Sequence, residues 1–211
     1  MSVSLRFSSR ELRDLGVAWI ALGVAFAIFF AGGGRRAVSM LVGTGVVRPL
    51  LVSLVTAGLA FLLHELAHKV IAVRFGQIAE FRADYGMLFL AVMSALVGFL
   101  FAAPGAVHHR GRLTSREHGL IALAGPATNA VLAVVFVPLY VGGLAAGSPL
   151  LSLVGERGVA INLFLAAFNL VPIGGLDGRT VLDWSTLVFV MTFAPAAVLA
   201  VVVVFVLGIG F

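Results

Sequence analysis

Six apolar segments divide the chain, and polar or glycine-rich stretches separate them. They cover residues 15–31, 49–73, 86–103, 119–144, 158–173 and 186–210. A helix needs about 20 apolar residues to cross a bilayer, so the longer segments predict transmembrane helices. Thr114 followed by Glu117 is typical of a capping box and predicts a helix that enters the membrane near Gly119.

The stretch between the second and fourth segments has a different pattern. Residues 78–85 mix apolar, charged and aromatic side chains, and residues 103–107 read as a turn followed by an extended run. We interpret both flanks as short strands around the apolar segment 86–103. The predicted fold is therefore an α-helical polytopic membrane protein, with five to six transmembrane helices and a small membrane-embedded β-strand region.

Composition supports a chain that lies almost entirely in the membrane. Hydrophobic residues make up 61% and charged residues 11%, whereas a soluble domain averages about 25% charged residues. We expect residues 1–211 to form a single membrane-embedded domain. Its core helices would span about 49–75, 119–144 and 158–176, with a re-entrant or strand region at about 78–110.

The net charge of +5 comes mostly from arginines in loops. We interpret it as an orientation signal and as contact with lipid headgroups, so the expected surroundings are a lipid bilayer and nucleic acid is not an expected partner. Cysteine is absent. A metal ion would therefore have to be held by His, Asp or Glu.

Two histidines and a glutamate lie deep in the second apolar segment with the spacing HExxH. Residues i and i+4 share one face of a helix, so His64 and His68 can bind one Zn²⁺. Glu65 would lie beside the metal, where it can take a proton from water. Each ionisable residue costs about 2.5–3.5 kcal/mol to insert at the centre of a membrane helix. Their retention at this depth indicates a function.

A second polar cluster in apolar surroundings runs from Asn169 to Gly178. Pro172 and the following glycines break the helix, so the backbone can turn and direct a carboxylate inward. A catalytic zinc takes three protein ligands and a water, and HExxH supplies two. The apolar segments contain no third histidine, which makes Asp177 the best candidate for the third ligand.

These motifs together resemble the site-2 protease family of intramembrane zinc metalloproteases, peptidase family M50. The family pattern is HExxH on one helix and Asn-x-x-Pro followed by Leu-Asp-Gly on a later helix. An Ala-Gly-Pro with an Asn shortly after it is a third family feature, matched here by residues 124–126 and Asn129. The matches follow the family order over residues 60–180.

The resemblance implies one zinc ion bound by His64, His68 and Asp177, with Glu65 as general base. It also implies that the substrate is a transmembrane protein, cleaved within its membrane segment by regulated intramembrane proteolysis. An extended piece of substrate would pair with a sheet near residues 79–109. Asn129 is a candidate catalytic residue, which would hold the substrate backbone or the oxyanion.

A shared metal constrains the topology. Both motifs lie toward the carboxyl ends of their helices, so these helices must cross the bilayer in the same direction. Segment 119–144 supplies the single crossing between them, and 86–103 should not cross. The loops on the expected side of the site carry nine arginines against four on the other side. This bias predicts a multi-pass protein of the cell membrane with its active site nearer the cytoplasmic face.

Three alternatives stay open at this stage. A zinc transporter would use the same ligands for passage, but it would need acidic or histidine residues on both sides of the midplane. A catalytically silent protein of the same fold would not need Glu65. Another HExxH membrane peptidase would take a glutamate as third ligand, and Glu117 and Glu156 lie outside the apolar segments.

Overall fold

The computed structural model describes residues 4–42, 45–102 and 104–210. The helices are α1 (Ser9–Phe30), α2 (Gly34–Val42), α3 (Val47–Ser53), α4 (Leu59–Arg74), α5 (Tyr85–Leu96), α6 (Ser115–Ala145), α7 (Pro149–Asn169), α8 (Asp177–Trp184) and α9 (Thr186–Ala200). Strands β1 (Ile78–Ala83) and β2 (Gly105–Arg110) pair in a two-stranded sheet. The π-helical turns Leu54–Gly58 and Val201–Val206 follow α3 and α9.

Several helical stretches of the described chain are long and apolar enough to cross a membrane. They are Ser9–Phe30, Val47–Arg74, Ser115–Ala145, Pro149–Asn169 and Thr186–Val206. The predicted fold class, a polytopic helical protein with a small strand region after the HExxH helix, is confirmed. Helix α5 has 12 residues, about 18 Å of helix, which is shorter than the ~30 Å hydrocarbon core.

The predicted bounds of one core helix were wrong at both ends. Helix α7 covers Pro149–Asn169, whereas the pattern predicted 158–176. Pro149 occupies the first helical turn, where its missing N–H costs nothing. Glu156, which the pattern placed outside the apolar segments, lies within the helix and accepts a hydrogen bond from the N–H of Gly210 at 2.9 Å. The helix ends before Pro172, which disfavours helical backbone in the residue preceding it.

The chain divides into two compact units, and the expectation of a single domain over residues 1–211 stays a prediction. The first unit contains the chain up to Arg6, Leu63–Ala79 and the chain from His109 onward. Helices α6 and α7 form its core, where a cluster of apolar side chains from α6, α7 and α9 is buried. Glycines at the crossing allow the two backbones to come close together, since a Cβ on Gly155 would overlap the backbone of Tyr140.

Helix α6 begins as the sequence predicted. The hydroxyl of Thr114 accepts from the N–H of Glu117 at 3.3 Å, and the Glu117 carboxylate accepts from the N–H of Thr114 at 2.8 Å. This capping box satisfies backbone donors that the first turn of a helix leaves without partners. It sets the start of the 31-residue helix that carries Gly125 and Asn129.

The second unit contains Phe7–Leu62 and Glu80–His108. Helix α1 packs on α5 through buried small and branched side chains, among them Ile28 and Ala91. Near the amino end of α1, the buried Glu11 accepts a hydrogen bond from the backbone N–H of Phe81 in β1 at 3.0 Å. This bond ties the strand to the helix.

Candidate metal centre

Helix α4 places His64 and His68 one turn apart on one face, and both side chains are buried. The Nδ1 atom of His68 lies 2.7 Å from the main-chain oxygen of Ile121 in α6. A carbonyl oxygen can only accept, so Nδ1 of His68 carries the proton. The Nε2 lone pair of His68 is then available to a metal ion.

His64 is held in the same tautomer by a side chain. Its Nδ1 atom lies 2.6 Å from Oδ1 of Asn129 in α6. The amide of Asn129 has its oxygen toward His64 because its Nδ2 donates to Asn162 of α7 at 2.9 Å. A metal-ligating histidine usually donates its second ring N–H to such an acceptor, which fixes the orientation of the ring.

The turn after α7 brings Asp177 to these histidines. Gly174 has φ of 58°, a left-handed conformation that a residue with a side chain rarely adopts. Gly178 lies directly against the backbone of Leu170, and a Cβ there would overlap the Leu170 carbonyl. These two glycines allow the chain to reverse tightly, so that α8 starts beside the end of α7 with Asp177 in its first turn.

Three potential ligand atoms converge at one point. The Nε2 atoms of His64 and His68 lie 3.0 Å apart, and Oδ2 of Asp177 lies 3.3 Å from the first and 3.4 Å from the second. All three atoms lie within 4.8 Å of one another. In the part of the chain that the structure describes, this is the one group of His, Asp or Glu that could hold a metal ion.

The carboxylate of Asp177 is the negative charge of the cluster. Burial raises the pKa of the Asp177 carboxyl, but hydrogen bonds and charge from the rings of His64 and His68 outweigh burial and hold the pKa below its ordinary value, so the carboxylate is ionised. A positive charge at the two Nε2 atoms, from a proton or from a metal ion, neutralises it. Two imidazoles and one carboxylate are a donor set that suits Zn²⁺.

Gly125 keeps the space beside the two imidazoles open. A Cβ at this position would lie 2.5 Å from Nε2 of both His64 and His68. Pro126 follows it inside the helix and has no backbone N–H to donate to Ala122, four residues earlier. The sequence matched this Gly-Pro pair to a family feature, and the structure gives its glycine a physical reason.

The structure brings together the residues that the sequence named. His64, His68 and Asp177 form the cluster, and Glu65 is buried in the same turn of α4. Asn129 lies behind His64 as an orienting partner, and its role in binding substrate stays a prediction. Sequence reasoning missed Asn162. The sequence feature that could have identified it is an isolated amide in an apolar segment, two helical turns before Asn169.

Fold and site together define a multi-pass membrane protein with a candidate metal site, where two buried histidines of an HExxH helix meet Asp177 of α8. The chain is 40% identical over 192 residues to "Putative zinc metalloprotease MJ0611" of Methanocaldococcus jannaschii, covering 90% of this chain and 92% of that protein. It is 31% identical over 147 residues to "Putative zinc metalloprotease YwhC" of Bacillus subtilis strain 168, covering 61% of this chain and 66% of that protein.

The chain belongs to the zinc metalloprotease family that these relatives represent. No protein-family model matches it, and no solved structure matches it. Both relatives are named as zinc metalloproteases, and the donor set of the cluster suits that metal.

Proposed function

We propose that this protein is an intramembrane zinc metalloprotease that hydrolyses peptide bonds within transmembrane segments of membrane-protein substrates. The observation that carries the proposal is the convergence of His64, His68 and Asp177 on one point, with both histidines on a helix long enough to span a membrane. The single cluster found among the described residues favours an enzyme over a transporter, which would need further ligand positions along a path.

An apolar cavity supports a membrane-embedded substrate. It lies in the first unit, has a volume of about 540 Å³, and is lined by side chains of α6, α7 and α9. Leu123 and Pro126, which flank the turn of Gly125, are part of its wall. A wall of this kind suits the side chains of an apolar peptide, because burying apolar surface contributes about 25 cal/mol per Å².

His64, His68 and Asp177 would hold the zinc ion. When bound, zinc would supply Lewis-acid chemistry, polarising a peptide carbonyl and acidifying water. Glu65 takes a proton from the water that attacks the scissile carbonyl and returns it to the amine nitrogen as the C–N bond breaks. The buried position of this carboxylate favours proton transfer, since bulk water does not compete there.

The substrate must unwind before attack, because a helix hides its backbone carbonyls in hydrogen bonds. Among the described strands the sheet has the order β1-β2, so β2 is an edge strand. The opposite edge of the sheet is occupied at Phe81, whose N–H donates to Glu11. We infer that an extended piece of substrate adds to β2 by backbone hydrogen bonds.

We also propose that the protein lies in the cell membrane with the site nearer the cytoplasmic face. The excess of arginines in the loops on the site side supports this orientation. A transmembrane protein is the expected substrate.

The deciding experiment compares Glu65→Gln with the unaltered protein. Both are purified, loaded with zinc and reconstituted in liposomes with a panel of labelled single-span membrane proteins. General acid–base catalysis contributes about 10²–10⁴-fold, so we expect Glu65→Gln to lose cleavage by at least about 100-fold while its zinc content is unchanged. The matched control is Glu117→Gln, because glutamine also completes a capping box.

Two results would contradict the proposal. One is cleavage of the panel by Glu65→Gln at the rate of the unaltered protein. The other is cleavage by the unaltered protein outside the membrane segments only, which mass spectrometry of the products would reveal.

A further inference from the structure

Asn162 lies at the centre of a buried hydrogen-bonded chain that the proposed chemistry does not use. Its side chain is fully buried in α7, as is that of Asn129 in α6. The Nδ2 of Asn162 donates to the main-chain carbonyl of Gly158 at 2.8 Å, and its Oδ1 accepts from Nδ2 of Asn129 at 2.9 Å. The Oδ1 of Asn129 faces Nδ1 of His64 at 2.6 Å.

The donors and acceptors of this hydrogen-bonded chain are ordered in one direction, which the carbonyl of Gly158 sets. A carbonyl can only accept, so Asn162 must turn its NH₂ group toward Gly158 and its oxygen toward Asn129. Asn129 must then turn its NH₂ group toward Asn162 and its oxygen toward His64. His64 then donates from Nδ1 to this oxygen, which leaves the lone pair of Nε2 free in the metal cluster.

The opposite orientation would disable the ligand. If the Asn129 amide turned over, it would present N–H to Nδ1 of His64, and the imidazole proton would move to Nε2. A protonated Nε2 cannot bind a metal ion. Asn162 accepts from the NH₂ group of Asn129, so it favours the orientation in which the Asn129 oxygen faces His64.

We propose that Asn162 is a positioning residue that sets the tautomer of His64 through Asn129 and thereby the zinc affinity of the site. The proposal rests on the proposed function only in that it takes the cluster to be a zinc site. Asn162 touches neither the ligand atoms nor substrate, since two hydrogen bonds separate it from the ring of His64.

The test measures zinc affinity by competition with a chelator, using the full chain in detergent. Loss of such partners typically costs about 10–100-fold in metal affinity, so we expect Asn162→Leu to bind zinc about 10-fold more weakly or worse. Asn162→Asp keeps an oxygen that accepts from Asn129 and should lose less. The control is Ser152→Ala in the same helix, whose hydroxyl bonds only to carbonyls of its own turn, and it should bind as the unaltered protein does.

A second readout reports the tautomer directly. In the metal-free protein, ¹⁵N chemical shifts of the His64 ring should show the Nδ1–H form, and Asn162→Leu should show a mixture of both forms. A double-mutant cycle with Asn129→Leu separates positioning from general support of the fold. If Asn162 acts through Asn129, adding Asn162→Leu to Asn129→Leu weakens zinc binding no further.

Three outcomes would overturn the proposal. They are unchanged zinc affinity in Asn162→Leu, additive losses in the cycle, and loss of the helical circular dichroism spectrum in both Asn162 variants. His64→Ala distinguishes this failure from failure of the proposed function. If His64→Ala abolishes zinc binding while the Asn162 variants bind normally, the metal site stands and the positioning role does not.

Discussion

Gly125 lies against His64 so closely that a Cβ added at residue 125 would stand 2.5 Å from the Nε2 atom of the imidazole. The same Cβ would stand 2.5 Å from Nε2 of His68. A real Cβ does not approach a nitrogen so closely, so one methyl group would occupy the space beside both candidate ligand atoms.

Gly125→Ala is therefore expected to abolish zinc binding while the helix that carries it stays folded, since alanine favours a helix more than glycine does. Metal content of the purified protein measures the effect. Gly142→Ala is the matched control in the same helix, because a Cβ there meets nothing within 4 Å. Full zinc occupancy in Gly125→Ala would show that the metal does not lie where the two Nε2 atoms point.

Asp177→Ala removes the one carboxylate of the cluster and is expected to weaken zinc binding by about 100-fold or more, since a direct ligand contributes more than the partners that orient it. The control is Asp183→Ala in the same helix, whose carboxylate pairs with Arg179 at the surface at 3.0 Å. Chelator competition measures both. Equal zinc affinity in the two variants would exclude Asp177 as a ligand.

The absence of cysteine makes the proposed orientation testable with single-cysteine variants. Arg36→Cys and Asp183→Cys each introduce one thiol at an exposed position. If the site side is cytoplasmic, a membrane-impermeant maleimide added to intact cells labels Arg36→Cys and leaves Asp183→Cys unlabelled until the cells are opened. The reverse labelling pattern would place the site on the outer side.

Gly58→Ala tests the packing of the π-helical turn against α1. A Cβ on Gly58 would lie 2.7 Å from Cδ1 of Trp19, whose Nε1 donates to the carbonyl of Leu54 at 3.0 Å. Overpacking of this kind costs about 1–3 kcal/mol, which denaturant unfolding in detergent would detect. Gly16→Ala in α1, with nothing within 4 Å of its Cβ, should not destabilise the protein.

The spanning helices and the start of α6 could be predicted from residues that are close together in the sequence. Runs of apolar residues predicted the spanning helices, and the capping box set the start of α6, because both depend on residues close together in sequence. The error at α7 has the same origin. The pattern placed Glu156 outside the apolar segments, but the structure gives it a hydrogen-bond partner in Gly210, 54 residues away. A charge that finds a distant partner cannot be recognised from its neighbours.

The candidate site also has a part that the sequence determined and a part that only the tertiary structure decided. HExxH spacing by itself determined that His64 and His68 share a helix face, and the break after Asn169 marked Asp177 as the available carboxylate. Only the tertiary structure decided which nitrogen of each imidazole faces the cluster. The carbonyl of Ile121 and the amides of Asn129 and Asn162 make that choice. They come from other helices, and hydrogen bonds between helices leave no periodicity in the sequence.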